Sequence, residues 1–142
     1  MFYNAGMSAY TSQTIVDADM RCCTEFEKPT HPKMYTDVAS DLGGMGEYPS
    51  PGELLAATVA SCMLSMIAFI GHKKGFSTQG ISIQAVCDEG KQGVGGLRFS
   101  ITVPHPVAAQ ERAMIQAAVA SCPVGNSIHP DIPKIIEWNW AE

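Results

Sequence analysis

Two cysteines lie 60 residues apart, each inside a string whose residue types can support thiol chemistry. Cys62 sits in Ser50-Pro51-Gly52-Glu53-Leu54-Leu55-Ala56-Ala57-Thr58-Val59-Ala60-Ser61-Cys62-Met63. Cys122 sits in Ser121-Cys122-Pro123-Val124-Gly125-Asn126-Ser127-Ile128-His129-Pro130. Brought together by a fold, the two make a redox couple; kept apart, they are two small apolar core residues. Cys62 falls deep in an apolar helical run, too far in for the helix dipole to aid its ionisation, and burial would raise its pKa. It reads as packing unless a cation or hydrogen-bond donor is brought to it, and Arg21, Arg98 and Arg112 are the candidates. Cys122 is placed at the start of a short helix, before Pro123. Free amides there stabilise a thiolate, which makes Cys122 the more acidic of the pair. A plain cap or core residue is its other reading. His129 reads as a surface histidine.

Glu53 also has two readings. With Ser50 it forms a capping box, and Pro51 suits the first helical position, so the helix start explains it without function. Its functional role would be to orient an arginine above the thiol. Glu53 precedes Cys62 by nine residues, and nine steps of ~100° put the two on nearly opposite faces of a straight helix. Gly52, one residue earlier, faces closer to Cys62. Cys22 and Cys23 are adjacent on a predicted strand and point to opposite faces; they and Cys87 are expected to be structural. Neither the cysteines nor His31, His72, His105 and His129 show metal-ligand spacing, so no metal site is expected.

Several elements must position these residues. Tyr10 to Val16 and Arg21 to Phe26 read as hairpin arms around an Asp17-Ala18-Asp19 turn, and Lys33 to Val38 as a third strand. A turn-rich loop, Gly43 to Pro49, leads into the helix beginning at Ser50-Pro51, which runs through Ile70 and ends at Gly71 or Gly75. Its apolar stretch is near the ~18 residues of a membrane span, but Thr58, Ser61 and Ser65 favour a buried central helix. A helix apolar all round must be wrapped, which points to a second subunit. Gln79 to Asp88 and Leu97 to Val103 read as strands joined at Gly93-Val94-Gly95-Gly96. A helix from Pro106 through Val119 follows, then a short helix at Cys122-Pro123. Lys134 to Trp140 is a last strand with Ile136, Trp138 and Trp140 on one side. The order predicts a single α+β domain over residues 1–142, with antiparallel pairing favoured by the tight hairpins.

The chain has 142 residues, 46% of them hydrophobic and only 16% charged, against a usual charged fraction of ~25%. So few charges leave apolar surface for a partner subunit. The net charge of −5 and the absence of a Lys/Arg cluster argue against nucleic acid as a partner. The first residues lack the basic and apolar regions of a secretory signal. A cytoplasmic location with reduced thiols is expected, and the odd count of five cysteines agrees.

Gly43-Gly44-Met45-Gly46, Ser50-Pro51-Gly52-Glu53-Leu54-Leu55-Ala56-Ala57, Ser61-Cys62-Met63, Cys122-Pro123-Val124 and Ser127-Ile128-His129-Pro130 occur in the order and spacing of a known family. The chain resembles the OsmC/Ohr family of osmotically inducible and organic-hydroperoxide-resistance proteins from about Tyr10 to Trp140. The resemblance implies an OsmC-like α+β fold, with an antiparallel sheet around a long buried helix. It implies an intertwined homodimer with sites at the subunit interface and no metal or other cofactor. It also implies thiol peroxidase chemistry on hydroperoxides, organic ones preferred. Cys62 would be oxidised to a sulfenic acid, Cys122 would condense with it to a disulfide, and a dithiol reductant, lipoyl-type in one branch, would reset the pair. Arg21 is the candidate cation by position, held by an acid at the start of the helix. The chain departs from the family there. Catalytic members carry that acid ten residues before the first cysteine, where this chain has Gly52, and Glu53 comes one residue later. The alternative is a non-enzymatic dimer of the same fold that binds a small molecule or senses redox state.

Overall fold

Ser50-Pro51-Gly52-Glu53 starts α1, which runs Pro51–Lys74 in the computed structural model. It ends where the sequence offers a left-handed residue: Gly75 has φ +79° and its N–H bonds the Gly71 carbonyl. Residues 8–28 and 30–142 are described; the first seven residues, on which the expectation of no secretory signal rests, lie outside them.

The chain forms two compact units that meet in sequence at Pro51/Gly52. The first holds an antiparallel sheet of β1 (Ser12–Ala18), β2 (Arg21–Phe26) and β3 (Met34–Thr36), in that order. The hairpin turn is displaced from Asp17-Ala18-Asp19 to Asp19-Met20. The pairing slips between Val16 and Ala18, and Asp19 takes φ 49°, a left-handed conformation that aspartate tolerates. Beyond β3 the backbone doubles back tightly. A Cβ on Gly44 would lie 1.9 Å from the Val38 carbonyl oxygen, so only glycine fits this return.

The second unit contains α1, β4 (Ser82–Gly90), β5 (Gly93–Val103), α2 (Ala109–Ala120), α3 (Pro123–Asn126) and β6 (Lys134–Trp140). β5 starts earlier than expected because the glycine-rich stretch is strand, and the turn is Lys91-Gln92. A register shift at Asp88/Glu89 and Gly93 at φ +117° make room for it. The β4–β5 hairpin is antiparallel, as its short connection requires, but β6 pairs with β5 in parallel. The β5–β6 connection crosses over through α2 and α3, which is what parallel pairing needs, so the sheet is mixed. β6 has the bounds expected for it. Its inward residues Ile136, Trp138 and Trp140 pack against the core, the two indoles stacked at 4.9 Å.

That core joins Ala56, Val59, Met63 and Ile67 of α1 to Leu97, Phe99 and Ile101 of β5, Ile115 and Val119 of α2, and Cys122. The α1 helix is long and apolar enough to cross a membrane by length and composition. In this fold it is a core helix, buried along the side that carries Ala56, Val59, Ala60, Met63 and Ile67. Its remaining surface, with Ala57, Thr58, Ser61, Ser65, Ala68 and Phe69, is exposed in the single chain, so the expected wrapping is complete on one side only.

Candidate functional site

Helix α1 and the α2–α3 corner bring Cys62 and Cys122 together. Cys62 is half-buried against the core, and Cys122 is 1% exposed. Both are free thiols, near enough for Cys62 to act on the ionisation of Cys122. Val59, three residues before Cys62 on α1, turns its carbonyl toward Cys122, 4.0 Å from Sγ.

Cys122 is the N-cap of α3, as expected from Pro123, and its sulfur accepts the Gly125 N–H at 3.3 Å. The expectation that such amides would make it acidic is reversed. Burial pushes the Cys122 thiol pKa up, the hydrogen bond with Cys62 pushes it the same way, and the amides only partly oppose them. Burial therefore holds Cys122 as a protonated thiol.

An apolar groove of about 350 Å³ runs beside this pair, lined by Met66, Phe69, Ile70, Met114, Ala117 and Ser121. Met66 is one helical turn beyond Cys62, and Ser121 directly precedes Cys122.

Arg21 opens β2 in the first unit. Its Nε and Nη2 form a fork on Asp37 at 2.8 and 2.9 Å, and Nη2 also bonds Glu47. The guanidinium lies over the Tyr48 ring, 4.6 Å from its centre. Asp37 is only 2% exposed, and its Oδ2 also accepts the N–H groups of Glu47 and Tyr48. The Arg21 fork and these amides outweigh desolvation and hold the Asp37 carboxyl down at about 2. Asp37, Glu47 and Tyr48 were not singled out from the sequence. The available signal is the strand register: Cys22 pairs with Thr36, so Arg21 and Asp37 are the next positions along.

A pH dependence follows from Asp37. Its folded pKa lies below the ordinary 3.8, so the unfolded chain binds the extra proton as pH falls. The stabilisation is full above about pH 5 and is lost between about pH 4 and about pH 2. Thermal melts across this range should show the melting temperature falling more steeply for the wild type than for Asp37→Asn. Asp88, lowered in the same direction by Arg98, is common to both proteins.

Glu53 lies in the first turn of α1 and is exposed. It lines a groove with Ala57, Ser61, Leu64, Ile83 and Ala85, a side of α1 to which Cys62 does not contribute. Gly52 is buried, and the space a side chain would take there is filled from β4: an added Cβ would lie 1.5 Å from Glu89 Oε1. A carboxylate is thus present at this corner, but it comes from residue 89 and not from residue 52. Among the described residues no group of three or more His, Cys, Asp and Glu side chains could hold a metal ion.

A sequence model of OsmC-like proteins matches residues 44–137, which include both cysteines. The chain belongs to the OsmC-like protein family. Solved structures agree on the fold. A protein of Psychrobacter arcticus, described as an osmotic-stress-induced and detoxification-response protein, is 26% identical, with a TM-score of 0.84 over 97% of this chain and 100% of that one. The organic hydroperoxide resistance protein OsmC of Legionella pneumophila is 17% identical, with a TM-score of 0.74 over 95% and 99%. An organic hydroperoxide resistance protein of Vibrio cholerae, with captopril in one active site, is 18% identical, with a TM-score of 0.72 over 96% and 97%. No curated protein sequence matches the chain. The family includes hydroperoxide-resistance proteins, and the OsmC-like fold expected from the cysteine strings is the fold observed.

Proposed function

We propose that this OsmC-like protein is a thiol-dependent peroxidase that reduces hydroperoxides, organic ones in preference. The observation that carries this reading is the approach of the two thiols in one core: Cys62 packs against the cluster that holds Cys122, and Cys122 Sγ lies 4.0 Å from the Val59 carbonyl, three residues before Cys62. The Cys62 thiolate attacks the peroxide and takes its terminal oxygen. The O–O bond breaks, the alkoxide leaves as an alcohol after protonation, and Cys62 becomes a sulfenic acid. The Cys122 sulfur then attacks the Cys62 sulfur. A disulfide forms, and the hydroxyl departs as water with the Cys122 proton. A dithiol, lipoyl-type by resemblance, reduces the disulfide and is itself oxidised. The apolar groove beside the pair supports the preference for organic substrates.

In this reading Arg21 supplies the cation for the Cys62 thiolate, with Asp37 and Glu47 holding its guanidinium, and Glu53, on another side of α1 from Cys62, acts only by orienting that arginine and not on the thiol itself. The working unit is a homodimer of the whole 142-residue domain, and the exposed apolar side of α1 supports a second subunit. Gly52, in place of the acid of catalytic members, is the observation that favours the alternative, a non-enzymatic redox-sensing or small-molecule-binding dimer.

Reduced protein mixed with cumene hydroperoxide or H2O2 separates the two. The peroxidase loses two thiols per chain with a Cys62–Cys122 crosslink, faster with the organic peroxide. Thiols unchanged after prolonged exposure leave the non-enzymatic reading. Cys122→Ser is expected to be oxidised but unable to close the disulfide, so dimedone should label Cys62 and mass spectrometry should find the adduct. No adduct on Cys62 would assign the oxidised thiol elsewhere.

A further inference from the structure

Cys122 is held by very little helix. The α3 element has four residues, too few to be stable by itself, so the direction of its capping thiol depends on ties from elsewhere. Most of its hydrogen bonds are local: Gly125 N–H to Cys122 Sγ, Asn126 Nδ2 to the Ala120 carbonyl at 3.2 Å, and Ser127 Oγ to the Pro123 carbonyl at 2.8 Å. One comes from another element and carries a charge. Lys134, the first residue of β6, reaches across and donates its Nζ to the Gly125 carbonyl at 2.5 Å, partly buried. Gly125 thus holds the Cys122 sulfur through its N–H and Lys134 through its carbonyl. It is also packed tightly: a Cβ there would sit 3.4 Å from Cys122 Sγ and 3.5 Å from Val59 Cγ1.

We propose that Lys134 is a positioning residue for disulfide closure: its ammonium, bonded to the Gly125 carbonyl, holds the α3 turn so that the Cys122 thiol stays aimed at Cys62. To bond Cys62, the Cys122 sulfur must move to it, which strains its 3.3 Å bond from the Gly125 N–H, one of the turn's own. The Lys134 bond does not involve sulfur and survives that change. Without it, the four-residue turn has no charged tie to β6 while its capping sulfur is moving. Lys134 does not touch the peroxide, so it acts on the second chemical step and leaves the first unchanged.

The inference rests on the thiol-pair reading, and its test does not need peroxidase activity. A mixed disulfide formed on Cys62 with Ellman's reagent is resolved when Cys122 attacks the Cys62 sulfur and thionitrobenzoate leaves as a thiolate. Wild type, Lys134→Met and Lys134→Arg are compared by quenching at intervals and quantifying the Cys62 adduct and the Cys62–Cys122 crosslinked peptide by mass spectrometry. Lys134→Met is expected to form the adduct at the wild-type rate and to close it roughly tenfold or more slowly, the cost of a misoriented attacking group. Lys134→Arg, which restores a charged donor, should close at close to the wild-type rate. Lys134→Gln, too short to reach the carbonyl, replaces the methionine variant if that one does not fold, with the same slow closure expected. Closure in the methionine or glutamine variant within twofold of wild type overturns the role of Lys134. Failure of the wild type itself to form the crosslink overturns the thiol-pair reading instead.

Discussion

Cys62→Ser is expected to abolish hydroperoxide turnover, with the peroxide-driven loss of thiols down by more than about 10³-fold, because the group that accepts the peroxide oxygen is gone. Cys122 cannot take over, since burial keeps it protonated and it lies 1% exposed. Cys87 is no substitute either: burial pushes its thiol pKa up, and the acidic side chains of Glu89 and Asp88 add to the shift. The serine should fold as the wild type does, because position 62 is half-buried and a hydroxyl there can bond the helix carbonyl four residues back, as Ser65 bonds that of Ser61. Thiol titration after cumene hydroperoxide, with a thermal melt as the control, measures both. Wild-type rates in a folded Cys62→Ser protein would place the chemistry on another cysteine.

Asp37→Ala is the second large effect, and it acts on the Arg21 corner. The substitution removes the acceptor of both arms of the Arg21 fork and leaves the Glu47 and Tyr48 amides without it. The guanidinium, with a side chain only 14% exposed, keeps Glu47 alone as an acidic partner. The melting temperature should fall clearly, and further than for Glu47→Ala, since Glu47 is 64% exposed and contributes one bond. Asp37→Asn should fall between, because one of its two terminal atoms is a donor facing a donor. If Arg21 serves the Cys62 thiolate as proposed, Asp37→Ala also slows Cys62 oxidation by at least about tenfold, because the guanidinium is no longer held in place. A variant that melts early but oxidises at the wild-type rate would remove Arg21 from the reaction and leave Asp37 a structural role.

Local codes in the sequence reached a long way. Ser50-Pro51 and Gly75 bracket α1, the alternation of Ile136, Trp138 and Trp140 gives β6 with its bounds, and Pro123 makes Cys122 a cap. Each is set by residues within a turn or two of one another, so a linear reading suffices. The cysteine strings likewise carried the family. The nine-residue offset between Glu53 and Cys62 was enough to separate their faces, because one straight helix carries both.

Other features depend on which segments pack together, and no short string encodes that. The β6 pairing is parallel because α2 and α3 carry the chain across before it returns. The hairpin turns moved because a register shift absorbs one residue in each. Asp37 drew no notice inside the expected Lys33 to Val38 strand; only the β2–β3 register makes it the partner of Arg21. The Lys134 tie to Gly125 likewise exists only once β6 lies beside the α3 turn. The acidity of Cys122 shows the division most clearly. Its amides were legible, since they belong to the next few residues, but the burial that outweighs them comes from α1 and the sheet. By itself the sequence determined the two thiols, their helices and their family. The tertiary structure decided that the thiols come together, that burial keeps Cys122 protonated, and that Asp37 and Glu47 grip Arg21, because desolvation and strand register are properties of the packed chain.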